Sequence, residues 1–105
     1  MNERRLKGML GLCVRAGQGI FGEDTCLRAV REGKASLMLA DDGISSSAFE
    51  KLERLCSREN VPLFRLPAGL LEEATGKPGK TMAVRGDSFP RQITGCLEAE
   101  PDGNE

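Results

Sequence analysis

The stretch from Arg15 to Arg28, Arg-Ala-Gly-Gln-Gly-Ile-Phe-Gly-Glu-Asp-Thr-Cys-Leu-Arg, sets Gly17, Gly19 and Gly22 ahead of a helix-like run. Glycines let a backbone approach a ligand closely, and the first turn of a helix offers unpaired N–H groups to a phosphate or a base edge. Arg15, Gly17, Gln18, Gly22, Glu23, Asp24, Thr25 and Arg28 are therefore candidates for a nucleic-acid cradle, with Arg28 on the exposed helix face. The same glycines spell G-x-G-x-x-G. A dinucleotide fingerprint needs a strand before it, however, and here an amphipathic helix runs up to Gly17. The plainer alternative is a loop whose glycines turn the chain and whose acids cap a helix.

Other residue types with chemical potential lead nowhere so specific. Cys13, Cys26, Cys56 and Cys96 stand 13, 30 and 40 residues apart, and the chain has no His. This spacing offers no zinc site of the common kind and no disulfide framework, so the expectation is reduced cysteines on helix core faces. Without a His or a cysteine beside a base, an enzyme is not indicated. Asp41-Asp42 and Glu72-Glu73 read as turn and exposed helix surface. No metal, cofactor or small-molecule substrate is expected.

These candidates need a scaffold, and 105 residues at 39% hydrophobic and 30% charged suit one soluble domain over residues 1–97. Four Phe and no Trp or Tyr leave little for aromatic stacking. No apolar run approaches the roughly 20 residues of a membrane span, and the start leads into an amphipathic helix rather than a signal peptide, so a cytoplasmic address is expected. The net charge of −1 conceals an asymmetry. Residues 1–85 hold 14 Lys and Arg against 11 Asp and Glu, whereas residues 86–105 hold Arg91 against five acids. So mildly basic a body calls for local geometry, not bulk charge, to carry any nucleic-acid specificity. The acidic tail 98–105 has no apolar face and is expected to fray.

Leu6, Met9, Leu10 and Cys13 form one helical stripe. Ile20-Phe21 then starts a strand, and a second helix turns Cys26, Leu27 and Val30 inward before Gly33 caps it. Ser36–Ala40 reads as a buried strand, and one of Ser45, Ser46 and Ser47 caps a third helix with Phe49, Leu52 and Cys56 on its stripe. A second buried strand follows at Leu63–Leu66. Pro67 suits the first turn of a short helix through Ala74, stopped at Gly76. A basic loop, Gly76-Lys77-Pro78-Gly79-Lys80, precedes a strand at Thr81–Arg85, and Asp87 or Ser88 opens a last helix toward Cys96. Helices alternating with short strands predict an α/β fold, a three-layer α/β/α sandwich around a mixed sheet of about four strands.

Leu12-Cys-Val-Arg-Ala-Gly-Gln, Gly22 through Asp42, Asn60-Val-Pro-Leu and Ala74-Thr-Gly-Lys stand in an order that resembles the kink-turn RNA-binding superfamily. That superfamily includes large-subunit ribosomal proteins seven-Ae and thirty-e, and the resemblance, over about residues 3–96, is to its small bacterial YlxQ branch. It implies the same sandwich and a surface built from three places: Gly22–Arg28, Asp41–Ile44 with Ile44 against an extruded base, and Lys77–Lys80 with both lysines on phosphates. The implied partner is structured RNA, with ribosomal RNA or the ribosome as its source, and the implied role is ribosome-associated or RNA-folding work.

Archetypal binders of that superfamily read Gly-x-Asn-Glu-x-x-Lys at the helix start. Here Gly22 matches, Arg28 replaces Lys, Asp24 replaces Asn and Thr25 replaces Glu. An Asn amide donates to guanine O6 and also accepts, whereas a carboxylate only accepts. Arg28 keeps the charge and adds a planar fork. A fold does not fix its ligand, so the acidic helix start and weak net charge also suit a protein-interaction module that has lost kink-turn selectivity.

Overall fold

A computed structural model describes residues 1–101, so residues 102–105 of the expected acidic tail lie outside the described residues. The element order is α1 (Glu3–Arg15), β1 (Gly19–Phe21), α2 (Glu23–Arg31), β2 (Leu37–Asp41), α3 (Ser46–Arg58), β3 (Leu63–Leu66), α4 (Leu70–Thr75), β4 (Thr81–Val84) and α5 (Ser88–Glu98). The strands make one mixed sheet in the order β1-β4-β2-β3, with β2 parallel to β3 and β4 antiparallel to both β1 and β2. This is the expected α/β/α sandwich.

The period-two geometry of a strand divides the core into two. Leu37 and Leu39 of β2 with Met82 and Val84 of β4 pack against Leu6, Leu10 and Cys13 of α1, Leu70 and Leu71 of α4, and Ile93 and Cys96 of α5. Met38, Ala40 and Ala83 point the other way, onto Cys26, Leu27 and Val30 of α2 and Leu52, Leu55 and Cys56 of α3. Strands covered on both faces are largely apolar, which is why Leu37–Ala40 of β2 and Met82–Val84 of β4 stand out in the sequence. All four cysteines are free and buried, and burial pushes the Cys13 and Cys56 thiols up to about 11. Burial thus disfavours the nucleophilic thiolate form of Cys13 and Cys56.

Local signals set the helix ends. The side chain of Asn2 caps α1 by accepting from the Arg5 N–H at 3.1 Å, and Ser45, of the three candidate serines, caps α3 through the Ala48 N–H at 3.2 Å. Gly33 follows the end of α2 with φ +73°, and Gly76 ends α4 with φ +71°.

Two expectations need correction. The strand Leu63–Leu66 is not buried: it is the sheet's edge, only Leu66 is fully covered, and Arg65 faces solvent with its guanidinium 3.9 Å from the Phe49 ring centroid. A charged residue on an edge strand discourages pairing with another chain. The short helix starts at Leu70, not at Pro67. Gly69 is left-handed at φ +85°, and the Leu70 N–H closes a turn onto the Pro67 carbonyl at 3.1 Å. No helix among the described residues is long and apolar enough to cross a membrane.

Candidate functional site

Strand directions decide which loops meet. Phe21 pairs with Met82, Ala40 with Thr81 and Asp41 with Leu66, so the C-terminal ends of β1, β2 and β3 share one end of the sheet with the start of β4. The start of α2, the β2–α3 loop and the α4–β4 loop therefore converge there. They line an open groove of about 310 Å³ formed by Gly22 and Glu23, by Ile44, Ser45 and Ala48, and by Gly79, Lys80 and Thr81.

Gly22 enters α2 with φ +92° and ψ 135°, a region open essentially to glycine alone, and its carbonyl accepts from Cys26 N–H at 2.9 Å. It supplies no side-chain cap to the first-turn N–H groups of α2. A Cβ here would meet only Thr25 Oγ1, at 3.7 Å, an ordinary contact. Gly22→Ala is accordingly expected to destabilise the protein by about 1 to 2 kcal/mol through backbone strain alone, with thermal denaturation as the measurement. An unchanged melting temperature would show that the entry relaxes to a negative φ.

Ile44 is held by Asp41, which the sequence reading placed in a turn and in the Asp41–Ile44 segment but to which it gave no role of its own. Asp41, 2% exposed, accepts from the Gly43 N–H through Oδ1 at 2.7 Å and from the Gly69 N–H through Oδ2 at 2.8 Å, while its carbonyl accepts from the Ile44 N–H at 3.0 Å. Lys80 Nζ lies 3.8 Å from Oδ1. Burial alone would raise the carboxyl pKa; the Gly69 and Gly43 N–H groups and the Lys80 ammonium outweigh it and hold the group below its ordinary range. One carboxylate thus ties together the β2–α3 loop, the turn before α4 and the last residue of the basic loop. The Asp-x-Gly spelling signals the Gly43 bond, an Asx turn. Nothing local signals the bond to Gly69, 28 residues away.

The remaining candidates fall elsewhere. Thr25 and Arg28 line a neighbouring groove with Ile20, Ala29, Glu32, Lys34 and Arg85. There Lys34 pairs with Glu32 at 3.0 Å and lowers its pKa, whereas Arg28 and Arg85 make no ion pair among the described residues. Asp24 is exposed on the outer face of α2. Lys77 is exposed in the α4–β4 loop, its N–H donating to Thr75 Oγ1 at 3.2 Å. Arg15, Gly17 and Gln18 lie at the opposite end of β1, beside Arg85, whose N–H donates to the Gln18 carbonyl at 2.9 Å. At about 3.3 Å per strand residue, Gln18 stands some 13 Å from Gly22. The glycine-framed segment is thus divided by β1 into two ends of the sheet. Ser45, Ala48 and Thr81, absent from the sequence-based candidates, complete the groove. No group of three or more potential metal ligands occurs among the described residues.

A mixed four-stranded sheet of this order, covered by helices on both faces and carrying three converging loops at one end, is the sandwich that the resemblance to the kink-turn RNA-binding superfamily implied. The chain matches a solved protein of unknown function from Bacillus halodurans C with a TM-score of 0.86 and 24% identity, over 90% of this chain and 98% of the other. It also matches the Giardia lamblia 15.5kD RNA binding protein with a TM-score of 0.74 and 16% identity, over 90% and 82%. No protein-family model matches the chain. In sequence it is 26% identical over 98 residues to the RNA-binding protein YlxQ of Enterococcus faecium, spanning 92% of this chain and 95% of that one. To the RNA-binding protein YlxQ of Bacillus subtilis (strain 168) it is 27% identical over 92 residues, spanning 86% and 92%. In sequence the chain is thus similar to the two YlxQ proteins, and it shares the fold of the two solved structures.

Proposed function

We propose that this chain binds structured RNA of the kink-turn kind, in a ribosome-associated or RNA-folding role in the cytoplasm, and does so without catalysis. The observation that carries the reading is the groove in which the uncapped start of α2, the Ile44 loop and the Lys80 loop meet. Each wall has a use there. Gly22 and the α2 N–H groups accept close approach of an anionic or base-edge atom, half-buried Ile44 offers an apolar face to an unstacked base, and Lys80 and Lys77 neutralise phosphates. Lys80 stays available, because its side chain is 54% exposed and a 3.8 Å pair open to water on one side is weak. Arg28, about 9 Å along α2 from Gly22, extends the contact to the flank. Both YlxQ proteins to which the chain is similar are described as RNA-binding, which supports the same reading.

Filter binding against a kink-turn duplex and a copy lacking its sheared G·A pairs tests this. Several-fold tighter binding to the intact motif is expected; equal, weak binding to both would remove kink-turn selectivity from the reading. The acidic first turn of α2, Glu23 and Asp24, favours a second reading as a protein-interaction module. Partners captured from cell extract that persist after ribonuclease treatment would support that reading over the first.

A further inference from the structure

The seam between α2 and α3 does not end at the candidate site. Glu23, Leu27 and Arg31 follow one another at i, i+4 and i+8 along α2, and Ala48, Lys51 and Leu55 at i, i+3 and i+7 along α3, so the seam between the two helices runs from their N-terminal to their C-terminal ends with a groove at each. At the far end it opens into a second groove of about 180 Å³, floored by Leu27 and Leu55 and walled by Arg31, Lys51, Arg54 and Arg58. Among the described residues, no carboxylate lines it.

Arg58 pairs with Glu59 at 3.5 Å, but Arg31, Lys51 and Arg54 make no ion pair or side-chain hydrogen bond among the described residues. Glu50, four residues before Arg54, does not engage it. Cations in a last helical turn often do no more than complement the helix dipole, which accounts for Arg31 and Arg58. Lys51 and Arg54 lie in the middle of α3, where the dipole offers nothing. Four cations around one groove, in a chain of net charge −1, form a concentrated positive site whose charge complement is a polyanion.

We infer that this groove holds the phosphodiester backbone of an RNA stem leaving the candidate site, so that the C-terminal end of the α2–α3 seam is a second, sequence-independent contact. The inference rests on the site at the other end of the seam being the RNA-binding one. From Glu23 to Arg31 the helix advances about 12 Å, within reach of a backbone continuing from a bound motif. The cations neutralise phosphates and release counterions, adding affinity and salt dependence without base selectivity.

The test compares the full chain with the triple variant R31Q/K51Q/R54Q and with the charge-preserving R31K/R54K. Each is titrated with a kink-turn RNA carrying short stems, the same motif with stems lengthened by one helical turn, and a plain duplex of equal length. Circular dichroism melts verify that these exposed substitutions leave the fold intact. The triple variant is expected to bind the long-stem RNA at least about tenfold more weakly at low salt, with a salt slope smaller by about 2 to 3, while its affinity for the short-stem RNA is unchanged. R31K/R54K should retain most of the affinity. Equal affinities and slopes for the long-stem RNA in variant and wild type would overturn the inference and leave the kink-turn reading standing. Should wild type bind motif and plain duplex alike, and the triple variant lose both, the groove stands and the kink-turn reading falls. Binding of none of the three RNAs by wild type overturns both.

Discussion

Replacing Asp41 by alanine is expected to lower the stability of the fold by about 3 kcal/mol, seen as a lower urea midpoint at unchanged slope. The carboxylate is almost wholly buried, and its two oxygens each receive one backbone N–H, from Gly43 and from Gly69. Removing it leaves both donors without their partner and disconnects the turn before α4 from the end of β2. Asp41→Asn should recover only part of the loss, because an amide has one accepting oxygen and would turn an NH₂ toward the other donor. Acid provides the independent check. A carboxyl whose pKa is depressed by folding contributes stability that is fully present above its ordinary unfolded value, about 3.9, and is lost as pH falls through its lower folded value. The stability gap between wild type and Asp41→Asn should therefore be widest near neutrality and shrink as pH falls below about 4. A gap that stays constant with pH would mean that the charge of Asp41 contributes nothing.

That residue marks the limit of what sequence could disclose. Leu37 to Ala40 and Thr81 to Val84 were legible as strands because both their faces are covered, so every position but Thr81 is apolar, and Thr81 is itself β-branched. Leu63–Leu66 carries nearly the same signal but sits at the sheet's edge; the one cue was Arg65, a long cation in mid-strand that reaches solvent. Helix ends were legible where a glycine decides them, as at Gly33 and Gly76, and the cap of α3 was narrowed to three serines of which Ser45 serves; the cap of α1 by Asn2 was not read. The start of α4 was not, because the geometry at Gly69 is set by a carboxylate far away in sequence.

For the site, residue patterns yielded the glycine-framed entry to α2, and family resemblance supplied the other two segments. Neither could show that Gly17 and Gly22 fall at opposite ends of β1, since a three-residue strand between them separates what looks continuous along the chain. Convergence of Gly22, Ile44 and Lys80 follows from strand order and direction, which are long-range properties. The basic groove was hidden for the same reason: Arg31 and the α3 cations are scattered in sequence and meet only because α2 and α3 lie side by side on one face of the sheet.

Asp24→Asn should tighten binding to a kink-turn by about 1 to 3 kcal/mol, roughly 5- to 150-fold, measured by titration of labelled RNA at fixed salt. Asp24 is exposed in the first turn of α2, one residue beyond the groove wall at Glu23, where its carboxylate accepts hydrogen bonds and repels phosphate. The amide keeps an accepting oxygen, gains a donor for guanine O6 and loses the negative charge. Asp24→Ala separates the two contributions, since it removes the charge without adding a donor; its gain should be smaller and should shrink with added salt. Substituting 2-aminopurine for the contacted guanine deletes O6 and should erase the advantage of asparagine over alanine. Stability should move the other way, because an acid in the first turn of a helix is worth about 0.5 kcal/mol against its dipole. A variant that binds RNA more tightly while melting slightly earlier would establish that Asp24 faces the ligand and limits its recognition. Unchanged affinity in both variants would mean that this face of α2 points away from the RNA, leaving Gly22, Ile44 and Lys80 to define the contact.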